Sequence, residues 1–339
     1  MSIQSSSSCR LVYIDNTKGF AIILVVLGHV VQFMYAPDGY QQNIVFRYIY
    51  SFHMPLFFIL SGMVTKVAPP KSLRNVYDKL RKRFLQLIVP FCIWGIIRVI
   101  MSTDIPLYIM FLKPDRSLWF LWVLFFINVY YWSATYLCNK VHMRHPLIVI
   151  ASTYVAIVVM ALVLNGNFGA NSIQLYFPYF VIGLLLGVVR LRLLQIPRLS
   201  FIAIVFGVTW ALMTWKWYLA LEDIPTTEPL WVYILNGGIM RRIVAVIGSF
   251  FFLSLFVLFE KKSINLIILG QLGMITLPIY AIHQTIIRLI LLILPDAISP
   301  FLSTYIGGFL SFSVVLSLTL AFYKLCQKNR VSKILLLGG

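Results

Sequence analysis

The residues best suited to chemistry lie close to the start of the chain. The stretch IDNTKGFAIILVVLGHV (Ile14–Val30) places Lys18 at the start of a long apolar run and His29 deep inside it. They stand eleven residues apart, about 16 Å along a helix at 1.5 Å per residue. Eleven steps of about 100° nearly close three turns, so the two side chains point the same way, with Asp15 close to that face. An imidazole takes and returns a proton near neutral pH, and an ionisable side chain within an apolar span marks a candidate functional site. A second histidine follows in SFHMPLFFILSG (Ser51–Gly62), where His53 lies about 12 Å from the end of its helix if that helix starts near Val45. His29 and His53 then reach similar depths from opposite directions, on helices that a short loop makes neighbours. Ser61 and Gly62 sit lower on the second helix, where small residues permit close packing or ligand approach.

Composition defines the elements that must hold these side chains. Of 339 residues, 60% are hydrophobic and 11% charged, with mean hydropathy +0.91. A soluble domain carries about 25% charged residues, so this chain lacks the polar surface to face water. Ten spans of about twenty apolar residues are predicted: 18–36, 45–66, 84–103, 117–138, 146–164, 173–190, 199–219, 238–259, 271–294 and 300–325. Gly270, Gly273 and Pro278 break the start of the ninth, with residues 264–269 as an interfacial or re-entrant lead-in. The expectation is an all-α integral membrane protein of about ten transmembrane helices with both termini in the cytoplasm. It forms one transmembrane domain over residues 1–339, with a short cytoplasmic segment at 1–17 and a cytoplasmic tail at 326–339.

Charge supports that orientation. With the N-terminus inside, twenty of the 28 basic residues fall on the cytoplasmic side, among them Arg10, Lys66, Arg74–Arg83, Arg144 and Arg190. The acidic stretch Glu222, Asp223, Glu228 falls outside, as the positive-inside rule requires. The net charge of +18 is therefore topological, a match to anionic lipid headgroups and not to nucleic acid. His142 and His145 belong to a basic cytoplasmic loop, and Arg74–Arg83 reads as topological charge, a basic interfacial helix or a phosphate-binding rim. The four cysteines, Cys9, Cys92, Cys138 and Cys326, have no CxxC or metal-ligand spacing and are expected as free thiols.

Five fragments taken in order resemble the acyltransferase 3 family of membrane O-acyltransferases. Lys18 to His29 is similar to the family's basic-x10-His motif. FHMPLFFILSG resembles its second-helix signature, and Arg81-Lys82-Arg83 followed by Pro90 its Arg-x-Arg motif. SLWFLW (Ser117–Trp122) resembles its Trp-Phe-Leu segment, and IYAIHQ (Ile279–Gln284) its late Tyr…His segment. Lys18 stands where many members have Arg, keeping the charge but not the bidentate fork. The resemblance implies transfer of an acyl group from a cytoplasmic donor, usually acetyl-CoA, to a hydroxyl of a sugar, polysaccharide or lipid-linked glycan, in a bacterial inner membrane.

The residue chemistry agrees. A sugar hydroxyl attacks only if a base removes its proton, which suits His29, with His53 as a second catalytic candidate or a residue that orients it. Coenzyme A carries phosphates, which Arg81 and Arg83 can bind bidentately, with Lys18 assisting or held by Asp15. Ser61, Trp119, Tyr280 and His53 are all available as oxyanion donors, and His283 reads as a supporting or packing residue. Arg98, Arg241, Arg242 and Arg288 fall in the outer halves of their helices, against the charge trend, and are candidates for holding an anionic or diphosphate-linked acceptor. No metal is expected, and the acyl group passes either directly or through a covalent acyl-enzyme. The rival reading is a glycan or lipid transporter without chemistry. It needs neither a phosphate-binding pair nor a mid-membrane base, and commonly shows internal repeats, which this chain lacks.

Overall fold

The computed structural model describes residues 11–65, 68, 70–101, 106–114, 118–141, 146–215 and 238–338. Cys9, Arg10, Lys66, Ser117, His142, Arg144, His145 and the acidic stretch Glu222–Glu228 lie outside them. The described chain is all-α. Eight helices are long and apolar enough to cross a membrane: Val12–Tyr35, Ile44–Met63, Leu73–Met101, Trp119–Lys140, Asn167–Val189, Gly238–Lys261, Thr276–Ile293 and Tyr305–Gln327. The fifth and seventh predicted spans correspond to shorter apolar helices, Ile148–Val163 and Leu199–Met213.

Several boundaries differ from the hydropathy reading for local reasons. Helix α1 (Val12–Val30) starts before Lys18 and runs into a π-helical turn, Val31–Tyr35, closed where the Ala36 N–H donates to Val31 O. The second span divides into α2 (Ile44–Tyr50) and α3 (His53–Met63). Pro55 lacks the N–H that would reach back to Ser51, and its ring crowds that carbonyl. The third span begins with α4 (Leu73–Arg83), capped where Ser72 Oγ accepts from the Asn75 N–H at 3.2 Å, and passes through a π-helical turn into α5 (Val89–Met101). The basic run Arg74–Arg83 is thus continuous with a membrane helix.

Helices α6 (Leu107–Leu112), α7 (Trp119–Lys140), α8 (Pro146–Val163), α9 (Ala170–Val189), α10 (Leu199–Met213) and α11 (Arg241–Lys261) follow. The ninth predicted span divides at Ile275 into α12 (Ile267–Met274) and α13 (Thr276–Ile293). Pro278 falls in the first turn of α13, where a missing N–H costs nothing. After α14 (Ser299–Leu302) and α15 (Tyr305–Gln327), the predicted tail folds as α16 (Arg330–Leu337). Asn329 caps its start, Gly338 ends it at φ +80°, and Trp94 Nε1 on α5 donates to Leu336 O at 2.9 Å.

Two compact units divide the chain. The first takes the chain up to Leu24, with Arg47–Phe57 and Val189–Thr276. Its backbones touch where Gly19 faces the Leu269 carbonyl and Gly273 faces that of Asp15, so α1 and α12 meet through small residues. Phe52 stacks on Phe252 at 4.3 Å between ring centroids, and Trp210 Nε1 donates to Ser51 Oγ at 3.0 Å. The second unit takes Val25–Phe46, Phe58–Val188 and the chain from Leu277 onward. There Gly62 on α3 meets the Phe180 carbonyl on α9, and Gly183 meets that of Ile59. Gly183 and Gly187 form the small-xxx-small spacing that lets membrane helices cross at backbone contact.

Candidate active site

His29 occupies the last turn of α1, just before the π-helical turn, with Nδ1 3.0 Å from Val25 O. Against it stands α13, which carries Tyr280, His283, Gln284 and Arg288. At i, i+3, i+4 and i+8 these share one side of a helix. His283 is fully buried, with Nδ1 2.8 Å from Ile279 O and Nε2 3.0 Å from His29 Nδ1. Gln284 is buried beside it, with Nε2 2.8 Å from His29 Nε2. On its far side Gln284 Oε1 accepts from Arg98 Nη1 at 2.8 Å. Four side chains from α1, α5 and α13 thus form one hydrogen-bonded line within the second unit.

Among the described partners, the line admits one arrangement of protons. A guanidinium only donates, so the oxygen of the Gln284 amide faces Arg98 and its NH2 faces His29. His29 Nε2 must then accept, which puts the ring proton on Nδ1, where Val25 O and His283 Nε2 receive it. His283 in turn carries its own proton on Nδ1 and gives it to Ile279 O. Both ring N–H groups then have acceptors with both imidazoles neutral. His29 Nε2 is therefore a lone pair with a fixed direction, which is what a base nitrogen must be.

Around this line the walls are aromatic. Tyr280 Oη accepts from the Phe120 N–H at 3.4 Å, tying α13 to the first turn of α7. Trp119 lies 5.0 Å from Tyr176, which stacks on Phe58 at 4.6 Å. Arg288 and Tyr280 are near enough to act electrostatically on Arg98, and among the described residues no carboxylate pairs with either arginine.

The structure therefore gathers His29, His283, Arg98, Tyr280 and Arg288 in one place, with Trp119 at its aromatic edge. Ser61 belongs to the same unit, and its carbonyl accepts the Thr65 hydroxyl at 2.8 Å. Arg81, exposed, and Arg83, part-buried and 3.4 Å from Gln86 Oε1, close α4 at the third span's leading end. Lys18, Asp15, His53, Arg241 and Arg242 belong to the first unit. His53 is buried there, its Nδ1 2.8 Å from Ile49 O and its ring against Tyr50. Arg241 and Arg242 are exposed in the first turn of α11. Gln284 was not singled out from the sequence. An amide directly after a histidine in an apolar helix was the signal available, since such amides hydrogen-bond across helices. Asn16, buried beside Asp15 with neither side-chain atom paired among the described residues, was also passed over.

A family profile described as an acyltransferase domain matches residues 11–323. The chain belongs to the acyltransferase 3 family. That membership makes it a multi-pass membrane acyltransferase, and a reading as transport without chemistry drops out. Among its relatives, the nodulation protein NolL of Mesorhizobium japonicum is 22% identical over 302 residues, covering 82% of this chain and 77% of the relative. NolL of Sinorhizobium fredii is 35% identical over 96 residues, which is 27% of this chain and 25% of that protein. No solved structure matches the chain. The acyltransferase 3 match includes both helices that meet at His29 and His283.

Proposed function

We propose that the protein transfers an acyl group, acetyl foremost, from acyl-CoA to a hydroxyl of a cell-surface sugar, polysaccharide or lipid-linked glycan in a bacterial inner membrane. The observation that carries this reading is the placement of His29 between His283 at Nδ1 and Gln284 at Nε2, an arrangement suited to a base with a fixed direction. The same convergence favours His29 over His53 as the base. His29 Nε2 takes the acceptor's hydroxyl proton as that oxygen attacks the thioester carbonyl. The tetrahedral intermediate collapses with departure of the coenzyme A sulfur, which receives the proton back from His29. The products are the ester and free coenzyme A, and His29 returns to its starting form.

Arg81 and Arg83 are assigned to the phosphates of coenzyme A, because guanidinium forks bind phosphate bidentately. Lys18 is assigned there on its motif alone. Arg98 and Arg288, which pair with no carboxylate among the described residues, suit an acceptor that is itself anionic, such as a diphosphate-linked glycan. The test is mass spectrometry of surface glycans from cells carrying the wild-type protein, His29→Ala or neither. Ester-linked acyl groups should appear with the wild type only, while both proteins insert in the membrane equally. Acylation sustained by His29→Ala would remove His29 from the chemistry, and its absence from all three would remove the glycan.

A further inference from the structure

In the line from Arg98 to His283, Gln284 is the member that meets the proton-transferring nitrogen of His29 without itself carrying the proton. Gln284 is buried, its amide is held at the oxygen end by Arg98, and its NH2 points at the one nitrogen that must stay unprotonated for His29 to act. A neutral donor is an unusual choice for that place. A carboxylate there would meet the His29 lone pair with its own, and the ring would answer by taking a proton on Nε2. It would then donate from both nitrogens, to the carboxylate and to His283. An amide has no such effect: it satisfies Nε2 without giving up its proton, and it leaves when a better donor arrives. The acceptor hydroxyl is that donor, because its O–H must occupy the position the amide N–H holds.

We propose that Gln284 is a positioning residue that keeps the base of this site unprotonated and holds the place of the acceptor hydroxyl, with Arg98 setting which way the amide faces. This rests on the reading of His29 as the base. Among the described residues, the charged and titratable groups around His29 Nε2 and its partners include Arg98, Arg288, Tyr280 and His283, and Gln284 is the neutral member between His29 and Arg98.

Three variants separate this role from packing, all read in the full-length protein in detergent or nanodiscs. Gln284→Glu keeps the shape and the bond to Arg98 but brings a carboxylate to His29. Activity should fall about a hundredfold or more, as for loss of a general base. Gln284→Met keeps volume and removes the donor, and Gln284→Ala removes both, so each should lose less than Gln284→Glu, about tenfold. Shape alone orders them the other way, with the isosteric Glu mildest. Carbethoxylation of His29 by diethylpyrocarbonate, which needs an unprotonated nitrogen, supplies the independent readout. Mass spectrometry should show His29 modified faster than wild type in Gln284→Met and slower in Gln284→Glu. Equal or better activity in Gln284→Glu than in Gln284→Ala would overturn the proposal. So would His29 reactivity unchanged in Gln284→Met, a measurement that stands even if the Glu variant does not fold. Activity in His29→Ala is a separate outcome, and it would remove the base itself and the proposal resting on it.

Discussion

His283 Nε2 lies 3.0 Å from His29 Nδ1, although 254 positions separate the two residues in the chain. The contact joins two imidazoles and spends His283 wholly on orientation, since its other nitrogen is committed to Ile279 O. His283→Ala should therefore lower kcat by about ten- to a hundredfold and leave the KM of donor and acceptor nearly unchanged. Steady-state kinetics on the purified protein decides it, and a change confined to KM would contradict the orienting role.

Arg83 should behave in the opposite way. Its assigned phosphate contact is the same before and during the reaction, so Arg83→Ala should raise the KM for acyl-CoA about tenfold and spare kcat. Arg83→Lys, with the charge but not the fork, should fall between the two. Competition by coenzyme A and by a dephosphorylated analogue measures the phosphate contribution directly. Discrimination between these two inhibitors that survives intact in Arg83→Ala would place the phosphates elsewhere.

The glycines predict a graded series. A methyl group at Gly62 would run into the Phe180 carbonyl, one at Gly187 would come within 2.8 Å of Met63 O, and one at Gly238 would meet nothing within 4 Å among the described residues. Gly62→Ala should cost several times what Gly187→Ala does, against about 1–3 kcal/mol for a typical overpacked site. Gly238→Ala should be silent. Thermal unfolding in detergent, followed by size-exclusion of the remaining monodisperse protein, gives the order.

Trp94 offers a measure of how firmly the C-terminal helix docks. Trp94→Phe keeps most of the ring and loses the hydrogen bond to Leu336 O, worth about 1 kcal/mol. The variant should unfold at a lower temperature with the catalytic rate per folded molecule unchanged. A fall in rate without a fall in stability would tie α16 to the reaction.

Much of the fold was legible because hydropathy is a local property. His29 sits in a run of Ile, Leu and Val that could be nothing but a span, and each predicted span has an apolar helix in the structure, though two of these are short. The tail helix was missed because Arg330–Leu337 is short, with three polar residues among its eight, and its stability is supplied by contacts such as Trp94. The break after Tyr50 was legible in Pro55 but was outweighed by the unbroken apolarity on either side. Of the site, His29 and the arginines Arg98 and Arg288 stood out because charge in a span is costly. Their arrangement did not. Whether His283 packs or pairs depends on which helix lies beside α13, and no spacing within α13 carries that information. Gln284 was hidden for the same reason: an uncharged amide gives little hydropathy signal until a partner for each end is known.

Tyr280, His283, Gln284 and Arg288 fit within nine consecutive residues of α13, so most of the polar matter around His29 depends on one short register. One inserted residue between Ile279 and Gln284 turns everything beyond it by about 100°, pointing the amide away from both of its partners at once. A point change here disturbs one contact, whereas a change of length disturbs all of those beyond it. Over evolutionary time this segment should reject every insertion and deletion. Loops elsewhere in the chain lie under no such rule.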